Sequence, residues 1–326
     1  MKPDHNPSGL APAPIRKLLA RAAALVTLVL AVPSLLALLG SHHWAAGLCS
    51  ELRIQWTLGL LFVLVVSVVS RAWKTADVAV LLTGLCSVSI LPHLSAPDTA
   101  TGIKQLRVVT ANVYSRNDNH KLIESELNKA QADVVVVVEL TKSLHQHLQR
   151  AFRSTHPHSI VSCEDGGNFG IGLYSARPFA EKSILHFNSP RLPCVAVTID
   201  CDGDPVHLLA IHTLPPVGRT GFVARNEELS LIAEYVGDRD DSRVVVLEDL
   251  NLTPWSPIYH NFLTDAGLTS AGQGNLTPTW YQFSGFPFGL ILDHILVERD
   301  LGTTDYRVSE HAGSDHRFVS AALRWE

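Results

Sequence analysis

VVVLEDLN, residues 244–251, is an apolar run that ends abruptly in two acids and an asparagine. Val244–Leu247 suit a strand buried on both faces. Such a strand has no packing reason to finish in Glu248, Asp249 and Asn251 unless its end opens onto a site that uses polar groups. The pattern recurs along the chain. LRVVTANVY (106–114) reaches Asn112, DVVVVVEL (133–140) ends at Glu139, and VHLLAIHTL (206–214) carries His212. LILDHILV (290–297) holds Asp293 and His294, and AGSDHR (312–317) holds Asp315 and His316. Any one of these is ordinary. Asn and Asp commonly turn the chain after a strand, and a histidine at a buried edge is most often a hydrogen-bonded structural residue. Six endings drawn from Asn, Asp, Glu and His, with no lysine, point to a shared polar edge. Rigid sheets with open loops collect chemistry at such edges.

The elements around these runs alternate strand and helix signals. HKLIESELNKAQ (120–131) has helical character, and TKSLHQHLQRAF (141–152) repeats Leu144, Leu148 and Phe152 on one face. RNEELSLIAEYV (225–236) does the same with Leu229, Ile232 and Val236. HSIVSC (158–163), FGIGLYSA (169–176), CVAVTID (194–200) and FVSAALRWE (318–326) read as strands, and CDGDP (201–205) closes a hairpin between two of them. About ten strands and three or four helices, partly hairpin-joined and partly helix-linked, predict α/β architecture with mixed sheets face to face and helices outside.

The first hundred residues differ. Ala22–Gly40 carries no charge over 19 residues, Ile54–Ser70 is dense in Leu, Val and Phe, and Val78–Leu91 adds a shorter apolar stretch of 14. These predict a transmembrane region over 18–94, with helices at about 20–40, 54–72 and 77–93. A cytoplasmic tail (1–17) precedes it, and a linker (95–104) leads to a domain over 105–326. A cleaved signal peptide is disfavoured because a second span follows the first within 14 residues. Arg16, Lys17 and Arg21 before the first span, with Arg71 and Lys74 after the second, place both segments in the cytoplasm. Three spans then leave the domain outside the cytoplasm at the cell (inner or plasma) membrane; two would leave it inside.

Residues 101–326 carry 19 basic and 27 acidic side chains, a net charge of −8, which disfavours an electrostatic grip on nucleic acid. The five cysteines have no CxxC spacing and read as buried thiols. Cys194 and Cys201, an odd number of residues apart on one strand, face opposite sides.

Asn112 in TANVY, Glu139 in VVVEL, His212 in AIHTL, Asp249 and Asn251 in EDLN, Asp293 in LDHILV, and Asp315 with His316 in SDHR resemble the ordered motif series of the endonuclease/exonuclease/phosphatase superfamily, the deoxyribonuclease I-like fold. GNFGIGLYSARPF (167–179) is similar to that family's glycine-containing strand ending in Ser-Arg-x-Pro. The resemblance covers residues 105–326 and implies a four-layered α/β/β/α sandwich of two mixed sheets. It implies a hydrolase of phosphate esters working with Mg²⁺, or with Mn²⁺ in its place. Glu139, Asp315 and Asn112 become metal ligands, the last directly or through water. Asp249 becomes the group that orients and deprotonates the attacking water, and Asn251 and His212 hold the phosphate. His316 becomes the acid/base partner whose tautomer Asp293 fixes. Departures stand at Glu248, where the family has glycine, at Leu250, where it has phenylalanine, and at Tyr114, where some DNA-repair members carry aspartate. The apolar helices before the domain resemble the membrane-anchored bacterial branch that includes VanJ-like proteins.

Two enzymatic expectations follow. One is a membrane-anchored phosphatase or phosphodiesterase acting on a lipid-linked or small phosphate ester or pyrophosphate outside the cytoplasm. The alternative is a nuclease with the same core residues, for which the domain lacks a basic stripe. A non-catalytic scaffold would be expected to have lost Glu139, Asp249 or His316.

Overall fold

The computed structural model describes residues 13–95, 102–189, 192–239, 243–281 and 289–326, with the side chain of Glu248 outside that description. The expected linker over 95–104 and the first twelve residues of the expected tail fall largely outside it too. The chain divides into two compact units at Pro92–His93, with Trp255–Pro257 grouped with the first.

The N-terminal unit holds α1 (Ala13–Leu36), α2 (Trp44–Glu51), α3 (Arg53–Ser70) and α4 (Trp73–Ser87). Its packing is inverted relative to a water-soluble bundle. Small and hydroxyl side chains, among them Ala23, Thr27, Ser34, Ser67 and Ala79, are buried, while Leu28, Phe62, Val65 and Leu81 are exposed. Thr27 and Ser34 satisfy their hydroxyls on the carbonyls of Ala23 and Leu30, one turn back in their own helix. By length and composition α1, continued by a 3₁₀ turn to Leu39, and α3 can cross a membrane. The third apolar stretch departs from the expected helix over about 77–93. Its α-helix begins at Trp73 and ends at Ser87, 15 residues or about 22 Å, short of a hydrocarbon core of about 30 Å. Ser87–Ser89 and Pro92 interrupt the helix before it reaches full crossing length. The short helix α2, in the loop expected between the first two spans, has no counterpart in the sequence reading.

The C-terminal unit is built on two six-stranded mixed sheets. One contains β1 (Lys104–Asn112), β2 (Val134–Val138), β3 (His158–Ser162), β4 (Ile171–Ser175), β11 (Gly302–Val308) and β12 (Val319–Trp325), in the order β11-β12-β1-β2-β4-β3. The other contains β5 (Phe179–Leu185), β6 (Cys194–Cys201), β7 (Asp204–His212), β8 (Arg243–Asp249), β9 (Leu268–Ser270) and β10 (Asp293–Glu298), in the order β5-β6-β7-β8-β10-β9.

Period-two alternation divides each central strand between two cores. Val134, Val136 and Val138 face the opposite sheet, meeting Leu208, Leu247 and Ile295 in the central core. Val135 and Val137 face α5 (His120–Lys129) and α6 (Lys142–Ala151). On the other side Leu209, Ile211 and Val246 pack on α7 (Gly218–Gly237) and α8 (Pro257–Asp265). The layers are therefore helix, sheet, sheet, helix, as expected. Cys194 and Cys201 lie in different cores on opposite faces of β6, and all five cysteines are free. The predicted hairpin joins β6 to β7 through Asp202 and Gly203, whose positive φ angles of 60° and 91° give the twist that two-residue hairpin loops need.

α7 begins seven residues before the predicted helix, and β5, β9, β11 and α8 carried no predicted signal. β5 and β11 are edge strands: β5 is exposed along most of its length, and β11 alternates over only a few residues, 305–308.

Candidate active site

Strand register brings the polar endings to one edge. β7 and β8 run parallel with His212 opposite Asp249, and β10 runs antiparallel with Asp293 opposite Asp249. His212, Asp249 and Asp293 thus stand abreast on three neighbouring strands. In the facing sheet, β1 and β2 are parallel with Asn112 opposite Val138, so Glu139 follows immediately beside Asn112. β12 is antiparallel to β1, which returns Asp315 and His316 to the same edge just before that strand begins.

Asp249 is the hub. Its Oδ2 accepts from Asn112 Nδ2 at 3.0 Å, and lies 3.7 Å from both His212 Nε2 and His316 Nε2. Its Oδ1 accepts from the backbone N–H of Asn251 at 3.0 Å. The other Asn112 Nδ2 hydrogen bond reaches Glu139 Oε1 at 3.2 Å, so one amide bridges two carboxylates. Asn112 Oδ1 accepts from the Tyr114 backbone N–H, and Ser115 N–H donates to Glu139 Oε2 at 2.8 Å. Asp293 Oδ2 is 2.8 Å from His316 Nδ1, and Asn251 Nδ2 donates to the carbonyl of Thr213. Asp315 accepts from Trp280 Nε1 at 3.1 Å and lines, with Glu139, an open cleft of about 660 Å³. All eight residues singled out in the sequence therefore lie along one edge. Four of them contact Asp249 directly, Asn112, His212, Asn251 and His316, while Glu139 joins through Asn112 and Asp293 through His316.

Three of the connecting residues are held in the left-handed region without being glycine: Tyr114 (φ 59°), Glu139 (φ 60°) and Asn251 (φ 51°). Each such position costs on the order of 1–3 kcal/mol and persists only where its surroundings over-determine it. Here the hydrogen bonds to Asn112, Glu139 and Asp249 do so.

Burial shapes the electrostatics. Burial alone would lower the pKa of His316, but the carboxylates of Asp293 and Asp249 outweigh it and raise it, favouring the imidazolium. Burial raises Asp293, partly offset by His316. Burial also pushes His294 down to about 4, so its ring is neutral and Nε2–H donates to the carbonyl of Leu252 at 2.8 Å. That bond secures the loop following Asn251.

The donor set suits a hard divalent cation. Glu139, Asp315 and Asn112 offer oxygen at the cleft, and Asp249, Asp293 and His316 have ligand atoms within 4.8 Å of one another. The buried trio is already committed internally, because Asp293 is occupied by His316. The cleft-side carboxylates remain the accessible oxygen donors. Asn112 donates from Nδ2 to both carboxylates and its Oδ1 accepts from the Tyr114 N–H, which favours water-mediated over direct ligation.

Several supporting residues carried no sequence signal. Ser314 Oγ donates to the carbonyl of Asn112 and accepts from His316 N–H, tying the segment before β12 to the end of β1. Thr279 Oγ1 accepts from Leu292 and Asp293 N–H. Arg225, buried on α7, donates to the carbonyl of Asn251 at 3.3 Å. They come from segments remote in sequence, and only the fold makes them neighbours.

Residues 109–316 match the profile of the Endonuclease/Exonuclease/phosphatase family. No curated protein matches the chain in sequence. Solved structures share the fold at low identity. TDP2 from D. rerio, complexed with single strand DNA product, is 16% identical with a TM-score of 0.58, over 67% of this chain and 98% of that one. The mannosyl-6-phosphatase of Bacteroides thetaiotaomicron VPI-5482 is 16% identical with a TM-score of 0.55, over 67% and 99%. Sphingomyelinase C from Streptomyces griseocarneus is 18% identical with a TM-score of 0.52, over 67% and 99%. With its sandwich of two mixed sheets and its acidic, histidine-bearing edge, this chain belongs to the endonuclease/exonuclease/phosphatase family, hydrolases of phosphate ester bonds.

Proposed function

We propose that the protein is a membrane-anchored, Mg²⁺-dependent phosphoesterase that hydrolyses a lipid-linked or small phosphate ester or pyrophosphate outside the cytoplasm. The observation that carries the chemistry is Asp249, a buried carboxylate placed between two imidazoles and next to Glu139 through one amide. Membrane anchoring is supported by the inverted packing of the N-terminal unit, since lipid-facing helices expose large apolar side chains and pack through small ones. The exposed apolar positions continue past α4 to Val88, Leu91 and Leu94, which supports a third crossing completed by non-α turns. With the basic residues at the N-terminal end of α1 and at the α3–α4 connection on the cytoplasmic side, a third crossing puts the catalytic domain outside.

Glu139 and Asp315, with Asn112 through water, would hold a divalent cation, which would relieve negative charge on the phosphate. Asp249 accepts the proton of the attacking water as its oxygen bonds to phosphorus. His316, kept as imidazolium by Asp293, presents Nε2–H to the phosphate and returns a proton to the departing oxygen. Asp293 accepts Nδ1–H and so fixes which ring nitrogen faces the substrate. Asn251 and His212 hold the remaining phosphate oxygens.

Activity of the full-length protein in detergent is expected to require added Mg²⁺ or Mn²⁺. Glu139→Gln should raise the metal concentration needed by roughly tenfold or more, the loss typical of a damaged metal shell. Full activity in excess chelator overturns the metal reading. For topology, a reporter fused after Glu326 is expected outside the cytoplasm and one fused at Lys74 inside. Cytoplasmic signals at both positions leave only two crossings and favour the nuclease.

A further inference from the structure

A second cavity, sharing no lining residue with the catalytic cleft, is walled by β11 and by the segment that follows β9, edge strands of the two sheets. At about 540 Å³ it has the size of a small-ligand site. Gln273, Asn275, Thr277, Thr303 and Tyr306 bring neutral amides and hydroxyls to it, and Asp305 is the one charged side chain among the lining residues. Asp305 is already satisfied, because Arg107 Nη1 donates to it at 3.0 Å and Arg307 Nε at 2.6 Å. The cavity therefore offers hydrogen bonds without a free charge.

The backbone is bent where it meets this cavity. Pairing of β11 with β12 slips between Thr304 and Arg307, and Asp305 sits there at φ 56°, in the left-handed region. A bulge of this kind re-aims a side chain and interrupts the ladder, so the edge is poorly suited to adding another strand. The side chain it brings inward is Tyr306, which packs against the central core. Room for it exists only because residue 272 is glycine: a Cβ there would stand 2.6 Å from Tyr306 Cζ and 2.8 Å from its hydroxyl oxygen. Burial, and then the Asp293 carboxylate, raise the pKa of the phenol, so its O–H remains a donor. Among the described residues, neither the Tyr306 hydroxyl nor that of Thr303 has a hydrogen-bond partner. Packing alone would be served by phenylalanine and valine at these positions. Backbone strain kept beside two unpaired hydroxyls fits a ligand better.

We propose that this cavity is a second binding site, and that it takes a neutral polyhydroxylated group, a sugar ring. Amides and hydroxyls supply both the donors and the acceptors that ring hydroxyls need, while a phosphate would find no uncommitted cation. The wall of the cavity also continues into the catalytic edge. The loop that starts at Ala271 lines the cavity and, at Thr279 and Trp280, holds Asp293 and Asp315. A bound sugar would rest on the loop that positions two carboxylates of the site. The site stands whether or not the chain hydrolyses phosphate esters.

The test uses the full-length protein in a detergent without a sugar headgroup. Methyl β-glucopyranoside, methyl α-mannopyranoside and methyl N-acetyl-β-glucosaminide are titrated by calorimetry and by saturation-transfer NMR. At least one is expected to bind saturably in the millimolar range, which suits a ligand of so few heavy atoms. Tyr306→Phe keeps the ring and Thr303→Val keeps the shape, and each should lower that affinity about 3- to 10-fold, the loss of one neutral hydrogen bond. Unfolding midpoints should change little, and inorganic phosphate should not displace the glycoside. A diacylglycerol carrying the sugar that binds separates the sources: displacement of the glycoside assigns a lipid-borne sugar and no displacement a free one, the site standing in either case. Three results overturn the proposal: no saturation with any glycoside up to about 50 mM, well above the millimolar range; unchanged affinity in both variants; or displacement by inorganic phosphate.

Discussion

Asp249→Asn is expected to lower turnover by about 10²–10⁴-fold, and His316→Ala by a similar factor, the usual range for groups that move protons in a transition state. The asparagine keeps the shape of the side chain and an oxygen for the Asn251 N–H, so the loss reports chemistry rather than collapse. Asp249 Oδ2 and His316 Nε2 stand 3.7 Å apart, close enough to act on one substrate group. Both groups act on one transition state, so the double variant should fall far short of the product of the two losses. Asp293→Asn should lower turnover too, through loss of the acceptor for Nδ1–H, with unfolding midpoints little changed. Steady-state kinetics at saturating Mg²⁺ on the four variants and the wild type decides the matter, and strict additivity of Asp249→Asn and His316→Ala would mean that they do not share a step.

The second large effect concerns substrate class. Hydrolysis of a lipid-linked phosphate or pyrophosphate is expected to exceed cleavage of plasmid DNA by at least about a hundredfold in kcat/KM, roughly 2.7 kcal/mol. A protein that grips DNA through Z phosphates loses affinity with a log–log salt slope near −0.9Z. Residues 101–326 carry a net −8, so they attract a polyanion poorly at long range. A single phosphate at the site feels local charges, while distant repulsion is screened beyond roughly 10 Å at 0.1 M salt. Lipid hydrolysis should therefore change little between about 50 and 200 mM salt, the range over which DNA binders weaken steeply. Measuring both substrates across that series with the full-length protein separates the readings. Preferential DNA cleavage that collapses with salt would establish the nuclease, a fold neighbour of which is TDP2 with single strand DNA product.

The sequence by itself determined the central strands and the residues at their ends. A strand buried on both faces must be apolar throughout, so Val134–Val138 and Val244–Leu247 are unmistakable, and any polar residue closing such a run stands out. Helices α5 and α6 were legible for the same reason, each burying one stripe on the outer face of a sheet. Edge strands β5 and β11 were not, because β5 is exposed along most of its length and β11 alternates over only a few residues, 305–308. The start of α7, at Gly218 with a φ of 75° just after Pro215 and Pro216, carried no helical periodicity to read.

What only the tertiary structure decided is which of the polar endings touch. Parallel pairing of β7 with β8 and antiparallel pairing of β10 with β8 set His212, Asp249 and Asp293 abreast, and no local pattern encodes that register across a chain separation of up to 81 residues. The amide of Asn112 bridging Glu139 and Asp249 arises because two sheets meet face to face at one edge, and Ser314 ties Asn112 to His316 because β12 returns beside β1. Side-chain chemistry is written locally, but the distances that turn it into a site are set by long-range strand pairing.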